Sequence, residues 1–585
     1  DLVGTTHTLF RTPGVATTLE NYESSIHGGY RRINGFTKFG SNTPDTTSTN
    51  IEGIFRYAKG VVACQGSNIY YSADGNTWTQ VNKDTYQNKT GTVSVTAGSP
   101  TVTGSGTSFT TEFSVGDDIK INNEIFNVLS ISSNTSLTTD GNFAATASSQ
   151  NIKKNGATAA QLASGSAIPR VSQSDCKFAL YEGESQYGEL FIVDGNNQPA
   201  YLKIDIASGT HTYFFKEVQR SAPEKSKFAT IFGERLIVAG DADNPQVLSY
   251  STRLKPEDFT GSSAGTIDVG DKIKQIKPFR NKLIVFCESS IFQVSGLDGT
   301  VAVSGVTKNI GCVSGNTVQE IGGDLIFLAP DGLRTIAGTA RIDDIELSSI
   351  SRKILPVFRD EVMPFLSSIR FASMVVREKS QYRLFYFRSG NANNIQGGVI
   401  GTFKISSTGA GVYEWSTTKG IPAKIAHSGV DENGSEVLYH SDESGYVFNH
   451  DTGNSFDGGN IAATYKTPDM DYGDAGIRKT LYYIKTSIRS EGTNNNLKLQ
   501  TRYDFESGDV TQPGEVSLGA LQTPATFGSG SSFGTTLFGG TLFPQQKTTL
   551  TGSGFTNNFR VRSTGTGSPY TVSGFYVDFI PAGRT

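Results

Sequence analysis

Short apolar pulses return along this chain at intervals of 42 to 59 residues, and that recurrence limits the fold more than any other feature. The pulses are Leu190-Phe191-Ile192-Val193, Leu236-Ile237-Val238, Leu283-Ile284-Val285-Phe286, Leu325-Ile326-Phe327-Leu328, Leu384-Phe385-Tyr386-Phe387 and Val437-Leu438-Tyr439. From leucine to leucine the steps are 46, 47, 42, 59 and 54 residues. Each follows a polar turn, and the segments around them alternate with period two, which is strand and not helix. A period of roughly 40–50 residues containing several short strands is the pattern of a β-propeller. One four-stranded blade cannot cover both of its own faces, and stacking blades covers them. An earlier copy, Val61-Val62-Ala63-Cys64 followed by Ile69-Tyr70-Tyr71, brings the candidates to seven. The expectation is an all-β chain with a six- or seven-bladed β-propeller at residues 51–90 and 155–459.

Two segments break the period. Val61 and Leu190 stand 129 residues apart, and the excess lies in residues 91–154. Five alternating strand candidates there, including Thr101-Val102-Thr103 and Asp118-Ile119-Lys120-Ile121, predict a small β-barrel inserted into a propeller loop. Such insertions are tolerated because lengthening a loop costs little. After Gly459 the strands lengthen, as in Leu497-Lys498-Leu499-Gln500-Thr501-Arg502-Tyr503, and residues 460–585 predict a C-terminal β-sandwich. Its Gly/Phe-rich stretch 527–543 reads as a long loop whose phenylalanines, Phe533 and Phe538 among them, dock on a neighbour or on the sandwich itself. The best helical candidate, Ser351 to Val362, carries Pro356 in its middle and predicts two short turns.

Composition narrows the chemistry. Of 585 residues only 18% are charged, 66 are glycine and 3 are methionine, with 23 tyrosines and 36 phenylalanines. This is a population of aromatic strands joined by Gly/Asn/Asp turns. A net charge of -4 argues against a conventional nucleic-acid binder, which needs a clustered basic face. Four widely spaced cysteines read as buried free thiols of a chain folded in a reducing cytoplasm. No run reaches about 18 apolar residues, and the first residues do not read as a secretory signal.

Candidate catalytic groups are sparse. Six histidines are the whole stock. His440 and His450, near Asp442, Glu443 and Asp451, have no metal-ligand spacing and read as exposed turn residues. Ser72-Ala73-Asp74-Gly75-Asn76-Thr77-Trp78 resembles the Asp-box turn of sialidase-like propellers, a folding device in which the Asp bonds turn amides. Scattered arginines neither supply nor exclude the arginine triad of that chemistry. Walker A and Rossmann fingerprints are absent, and paired acids such as Asp343-Asp344 or Asp469 with Asp471 carry no geometry of their own. The chain is read as a non-enzyme without cofactor or metal.

The N-terminal 50 residues are more informative. Asn21 precedes Gly28-Gly29-Tyr30-Arg31-Arg32-Ile33-Asn34-Gly35. An amphipathic hairpin closing the propeller and a partner contact through Tyr30, Arg31 and Arg32 both suit this pattern. The segment resembles the opening of tail nozzle proteins of short-tailed bacteriophages, the tail tubular protein B family. That family typically has Pro where Asn34 stands. The insert at Thr101–Phe109 and the ending at Gly552–Phe555 and Gly574–Arg584 are similar to that family's modules. The resemblance implies a homo-hexamer at the distal end of a virion tail, made in the host cytoplasm. Its neighbours would be a tail adaptor ring above, fibres or spikes at the side and the host cell surface below. Phage DNA would be retained in the lumen without sequence-specific binding and released on ejection. Loops 391–396 and 528–543 would be the gating candidates. A wall poor in Lys and Arg suits such passage, because few phosphate contacts form. Alternatives are a fibre-linked tail or baseplate component, and a propeller-type glycan-binding protein or polysaccharide-degrading enzyme.

Overall fold

The computed structural model describes the chain except for residues 5–13, 49, 184, 219–221, 298, 300, 338–348, 389–394, 406–410, 493–495, 520–544 and 584–585. It is all-β, with small antiparallel sheets of the propeller type, a closed six-stranded barrel and a two-sheet C-terminal region. Among the described residues no helix is long and apolar enough to cross a membrane. The chain divides into two compact units: residues 42–285 with 293–304, and residues 1–41 with 286–292 and 305–585.

Among the described residues seven blade-like sheets follow one another in sequence, and every apolar pulse lies on the strand second from an edge of its sheet. The pulse strands are Gly60–Gln65, Glu189–Val193, Arg235–Ala239, Lys282–Cys287, Asp324–Ala329, Gln381–Arg388 and Glu436–Ser441. Each pairs on both sides with its chain neighbours in a meander. A second strand is an inner strand, so both of its edges are paired, and consecutive residues of these strands are buried, so both faces are covered as well. That is why these strands read as continuous apolar runs and not as alternation. Leu190, Leu236, Leu283, Leu325 and Leu384 are at most 1% exposed. Burial of this kind contributes about 1.5–3 kcal/mol for each leucine. The seventh sheet draws its last strand, Phe36–Lys38, from the N-terminal segment, which pairs antiparallel with Val447–His450.

The inserted barrel runs from Tyr86–Val95 through Thr101–Ser105, Asp118–Ile121, Glu124–Ser133 and Ser136–Thr139 to Ala147–Asn155. Its first strand starts five residues before the expected boundary, because Gln87 and Asn88 are polar yet pair with Lys154 and Lys153 of the closing strand. Val93, Val102, Phe109, Ile119, Leu137 and Ile152 fill the inside.

The C-terminal region is a pair of sheets that takes strands from the other end of the chain. Thr18–Glu20 runs antiparallel to Ile461–Lys466 and parallel to Gly411–Lys419, joining the sixth blade to one sandwich sheet in a nine-stranded sheet. Tyr22–Ser24 and Tyr30–Arg32 extend the other sheet beside Tyr570–Pro581. Leu481, Ile484, Leu499, Phe559 and Val561 pack between them. Residues 18–38 thus supply strands to the sandwich and to the last blade.

The helical candidate forms a run of short turns, Arg352–Ile354, Leu355–Val357, Phe358–Val362 and Met363–Phe365, not two separate ones. Pro356 stands at the start of its turn, where a missing N–H costs no bond. Ile354, Phe358 and Val362, four residues apart, bury one face in the core.

Candidate functional site

Tyr22–Ser24 and Tyr30–Arg32 form a hairpin in the register Tyr22 to Arg32 and Ser24 to Tyr30. Its turn passes through Gly28 and Gly29, both at positive φ. Here lie three of the residues singled out as assembly contacts, and each is engaged inside its own chain. Tyr30 is buried against Tyr465, with ring centroids 5.1 Å apart, and its hydroxyl donates to the Gly14 carbonyl at 2.7 Å. Arg31 grips Glu491 with two N–H groups, Nε and Nη2, each 2.6 Å from a carboxylate oxygen, and donates to Glu23 at 2.7 Å and Asn34 at 2.9 Å. Arg32 is fully buried, and its Nη2 donates to the Gly567 carbonyl at 2.6 Å. Phe533 and Phe538, with the gating candidates 391–394 and 528–543, lie outside the described residues.

Glu23 is the centre of a buried charge cluster at the root of this hairpin. Its carboxylate accepts from Arg31, from Lys379 at 2.9 Å, from Arg383 at 3.0 Å and from Gln381 at 3.2 Å. Asp451 accepts from Lys379 at 2.7 Å and Arg383 at 3.1 Å. Three carboxylates, Glu23, Asp451 and Glu491, thus face three cations, Arg31, Lys379 and Arg383. Burial pushes the Asp451 carboxyl up, but the Arg383 and Lys379 charges outweigh it and hold it below the usual carboxylate range. The bidentate bond to Arg31 lowers Glu491.

His440 and His450 extend the cluster, contrary to the expectation of exposed turn residues. Both are buried on paired strands of the seventh sheet, Glu436–Ser441 and Val447–His450. Their Nδ1 atoms are 3.3 Å apart, and His450 Nε2 lies 3.0 Å from Arg383 Nη1. Burial lowers both imidazoles, His440 to about 3, so each is neutral at pH 7. Each follows a short apolar run, Val437-Leu438-Tyr439 or Val447-Phe448, and that was the signal available for strand placement. Among the described residues no group of three or more His, Cys, Asp or Glu could hold a metal ion. All four cysteines are buried, and none forms a disulfide.

With its root fixed, the hairpin presents its tip. Ile26 is 88% exposed, an apolar side chain set in water by a turn whose base is tied down by ion pairs. Sequence pattern alone pointed at the arginines and missed the isoleucine, because only the root geometry tells brace from tip.

In the other unit the Asp-box turn forms as expected. Asp74 Oδ1 accepts from the Asn76 and Thr77 amides at 2.9 and 3.1 Å, and Trp78 Nε1 donates to the Asn42 carbonyl at 3.1 Å. The same unit holds a cleft of about 910 Å³ between the barrel and the second sheet. Asp118, Phe126, Glu189, Tyr201, Phe214 and Lys216 line it.

No family model and no curated protein matches the chain. Among solved structures it is similar to Kluyveromyces lactis Hsv2, at 7% identity over 63% of this chain and 99% of that one, with a TM-score of 0.25. It is similar to the Neurospora crassa Pan2 WD40 domain, at 9% identity over 72% of this chain and 96% of that one, also at a TM-score of 0.25. An exo-beta-1,3-galactanase from Phanerochaete chrysosporium matches at 10% identity over 93% of this chain and 100% of that one, with a TM-score of 0.23. Likeness at this level carries nothing about activity.

Proposed function

We propose that this chain is a structural component of a bacteriophage tail, of the nozzle type, that works by assembly and not by catalysis. The observation that carries the reading is the hairpin: Arg31, Glu23 and Arg383 fix its root, and Ile26 stands 88% exposed at its tip. A lone exposed isoleucine needs no explanation in itself. One held out on an ion-braced hairpin suits an anchor that enters a pocket on a neighbouring subunit.

The succession of modules also supports the reading. N-terminal strands, a first blade, an inserted barrel, further blades and a terminal sandwich follow the plan that the sequence resemblance implies. In a closed ring of identical subunits each contact is heterologous, so a projecting tip on one subunit meets a different surface of the next. Six copies, an adaptor ring above, fibres or spikes at the side and DNA passing through without sequence-specific contacts belong to this proposal. So do the virion tail as its location and the host cell surface as its target.

Mass photometry and negative-stain imaging of the purified chain test it. Six-fold rings are expected, and Ile26→Asp should shift them to monomers while each subunit stays folded. A monomer or trimer that releases reducing ends from a bacterial polysaccharide would overturn the proposal in favour of a glycan-degrading enzyme.

A further inference from the structure

We infer that Cys64 and Cys176 are a latent disulfide, a pair of thiols that an oxidant of the peroxide class joins once the chain leaves a reducing environment. The inference stands independently of the assembly reading. Both residues lie in the compact unit that holds the inserted barrel, 112 residues apart in sequence.

The backbone brings the two residues together. Cys64 lies on Gly60–Gln65, an inner strand of the first sheet, and its partner across the ladder is Gly53. Cys176 stands just before Lys177–Tyr181, an edge strand of the second sheet, and its N–H donates to the Glu52 carbonyl at 2.7 Å. Gly53 has no side chain, and a Cβ built on it would lie 2.6 Å from the Cys176 Cβ. Cys176 therefore fills the space beside Cys64 that a side chain at position 53 would take. Gly53 lies outside the left-handed region, so the position requires room and not a special conformation. Cross-strand neighbours hold their Cβ atoms about 4.5–5.5 Å apart and a disulfide spans about 3.5–4.5 Å, so a small side-chain adjustment closes the link.

Packing holds the thiols there. Both belong to one buried cluster with Val62, Ile69, Leu190 and Ile192, Cys64 fully enclosed and Cys176 4% exposed. The Cys176 thiol donates to Gln173 Oε1 at 3.1 Å. Burial pushes that thiol well above its ordinary value, and the neighbouring Cys64 thiol raises it further. Cys176 is therefore protonated at pH 7, and its oxidation is slow, because the thiolate is the nucleophile.

Cys176, the more exposed of the two, meets the oxidant first. Its sulfur attacks one oxygen of hydrogen peroxide, the O–O bond breaks, a sulfenic acid forms and one water leaves. The Cys64 sulfur then attacks the sulfenic sulfur, the S–O bond breaks and a second water leaves. The two thiol protons end in the two waters, and the two electrons that the sulfurs lose are those that peroxide gains. The link ties the first sheet to the second and closes a loop that contains the whole inserted barrel. Closing a long loop takes the most freedom from the unfolded chain, so the staple is placed where it stabilises most.

Non-reducing peptide mapping of the full chain, after overnight exposure to hydrogen peroxide, tests the inference. A peptide joining Cys64 to Cys176, two hydrogens lighter than its separate halves and parted by dithiothreitol, is expected. The linked chain should melt about 5–10 °C above the reduced chain. Cys64→Ala and Cys176→Ala should each abolish that gain. Where either variant does not fold, the peptide map of the unaltered chain decides alone. Both thiols still free, a sulfinic acid on Cys176 with Cys64 unlinked, or a link from either residue to Cys287 or Cys312 would overturn the inference.

Discussion

Arg383 Nη2 and Glu23 Oε2 meet at 3.0 Å, with 1% and 2% of their side chains left in water. One lies in the sixth sheet and the other in the N-terminal hairpin, 360 residues away in sequence. Losing one member of a buried pair costs about 3–5 kcal/mol, because the other charge stays buried without compensation. Glu23→Gln should therefore release the hairpin. Amide exchange over residues 22–32 should rise by orders of magnitude while the barrel 86–155 keeps its protection. Unchanged exchange at residues 22–32 would show that Asp451 alone satisfies Arg383.

Acid should loosen the same root. Burial holds His440 and His450 below the ordinary imidazole value of about 6.5. Below pH 6.5 the unfolded chain therefore binds protons that the folded chain refuses. Their contribution is complete above pH 6.5 and declines as pH falls toward about 3, the His440 value. Asp451 and Glu491, both held low, contribute fully above the ordinary carboxylate range and lose that contribution as pH falls through it. The two effects share a sign. Hydrogen exchange at residues 22–32 should accelerate, beyond its intrinsic pH trend, between pH 6.5 and 4. Replacing both histidines, His440→Leu with His450→Leu, should flatten the upper part of that slope. Equal slopes in the two proteins would remove the histidines from the account.

The blades were legible because an inner strand leaves a local mark. Leu283-Ile284-Val285-Phe286 is apolar throughout, since neither of its faces meets water. The roles of Arg31, Arg32, His440 and His450 were not legible. Their environments are made by partners far off in sequence, such as Glu491, Gly567 and Arg383, and no local pattern announces those. The early start of the barrel at Tyr86 escaped for a related reason: Gln87 and Asn88 pair on the closing seam with Lys154 and Lys153 although both are polar and neither is buried. The cleft at Glu189 was invisible as well, because its walls come from an insert and a blade that only the fold brings together.

The leucine pulses give a sharp contrast in stability. Leu236→Ala or Leu384→Ala removes a fully buried side chain from an inner strand, and each should cost about 2–5 kcal/mol. Leu254 belongs to the same stretch of chain as Leu236 but is exposed, so Leu254→Ala should fall within about 0.5 kcal/mol of the parent. Thermal denaturation of the three variants measures the difference. Equal shifts at all three positions would contradict the assignment of Leu236 and Leu384 to inner strands.

Two glycines of the N-terminal motif separate conformational need from spatial need. Gly28 has φ +82°, and a Cβ there would touch nothing within 4 Å. Gly28→Ala pays only the left-handed backbone cost, about 1–2 kcal/mol. Gly35 lies outside the left-handed region, yet a Cβ on it would sit 1.8 Å from the Ser455 carbonyl oxygen. That approach cannot relax easily, because backbone bonds clamp the two segments together: Gly35 N to Gly453 O, Phe36 N to Ser455 O and Thr452 N to Gly35 O, each at 3.0 Å. Moving them apart would also draw Phe36 off Phe456, on which it stacks with ring centroids 5.2 Å apart. Gly35→Ala should therefore destabilise the seventh sheet by more than about 3 kcal/mol, well beyond Gly28→Ala, although backbone conformation alone ranks the two the other way. Thermal denaturation with exchange over residues 36–38 and 447–450 decides it. A larger loss at Gly28 would mean that the segments at Gly35 and Ser455 are not held in contact.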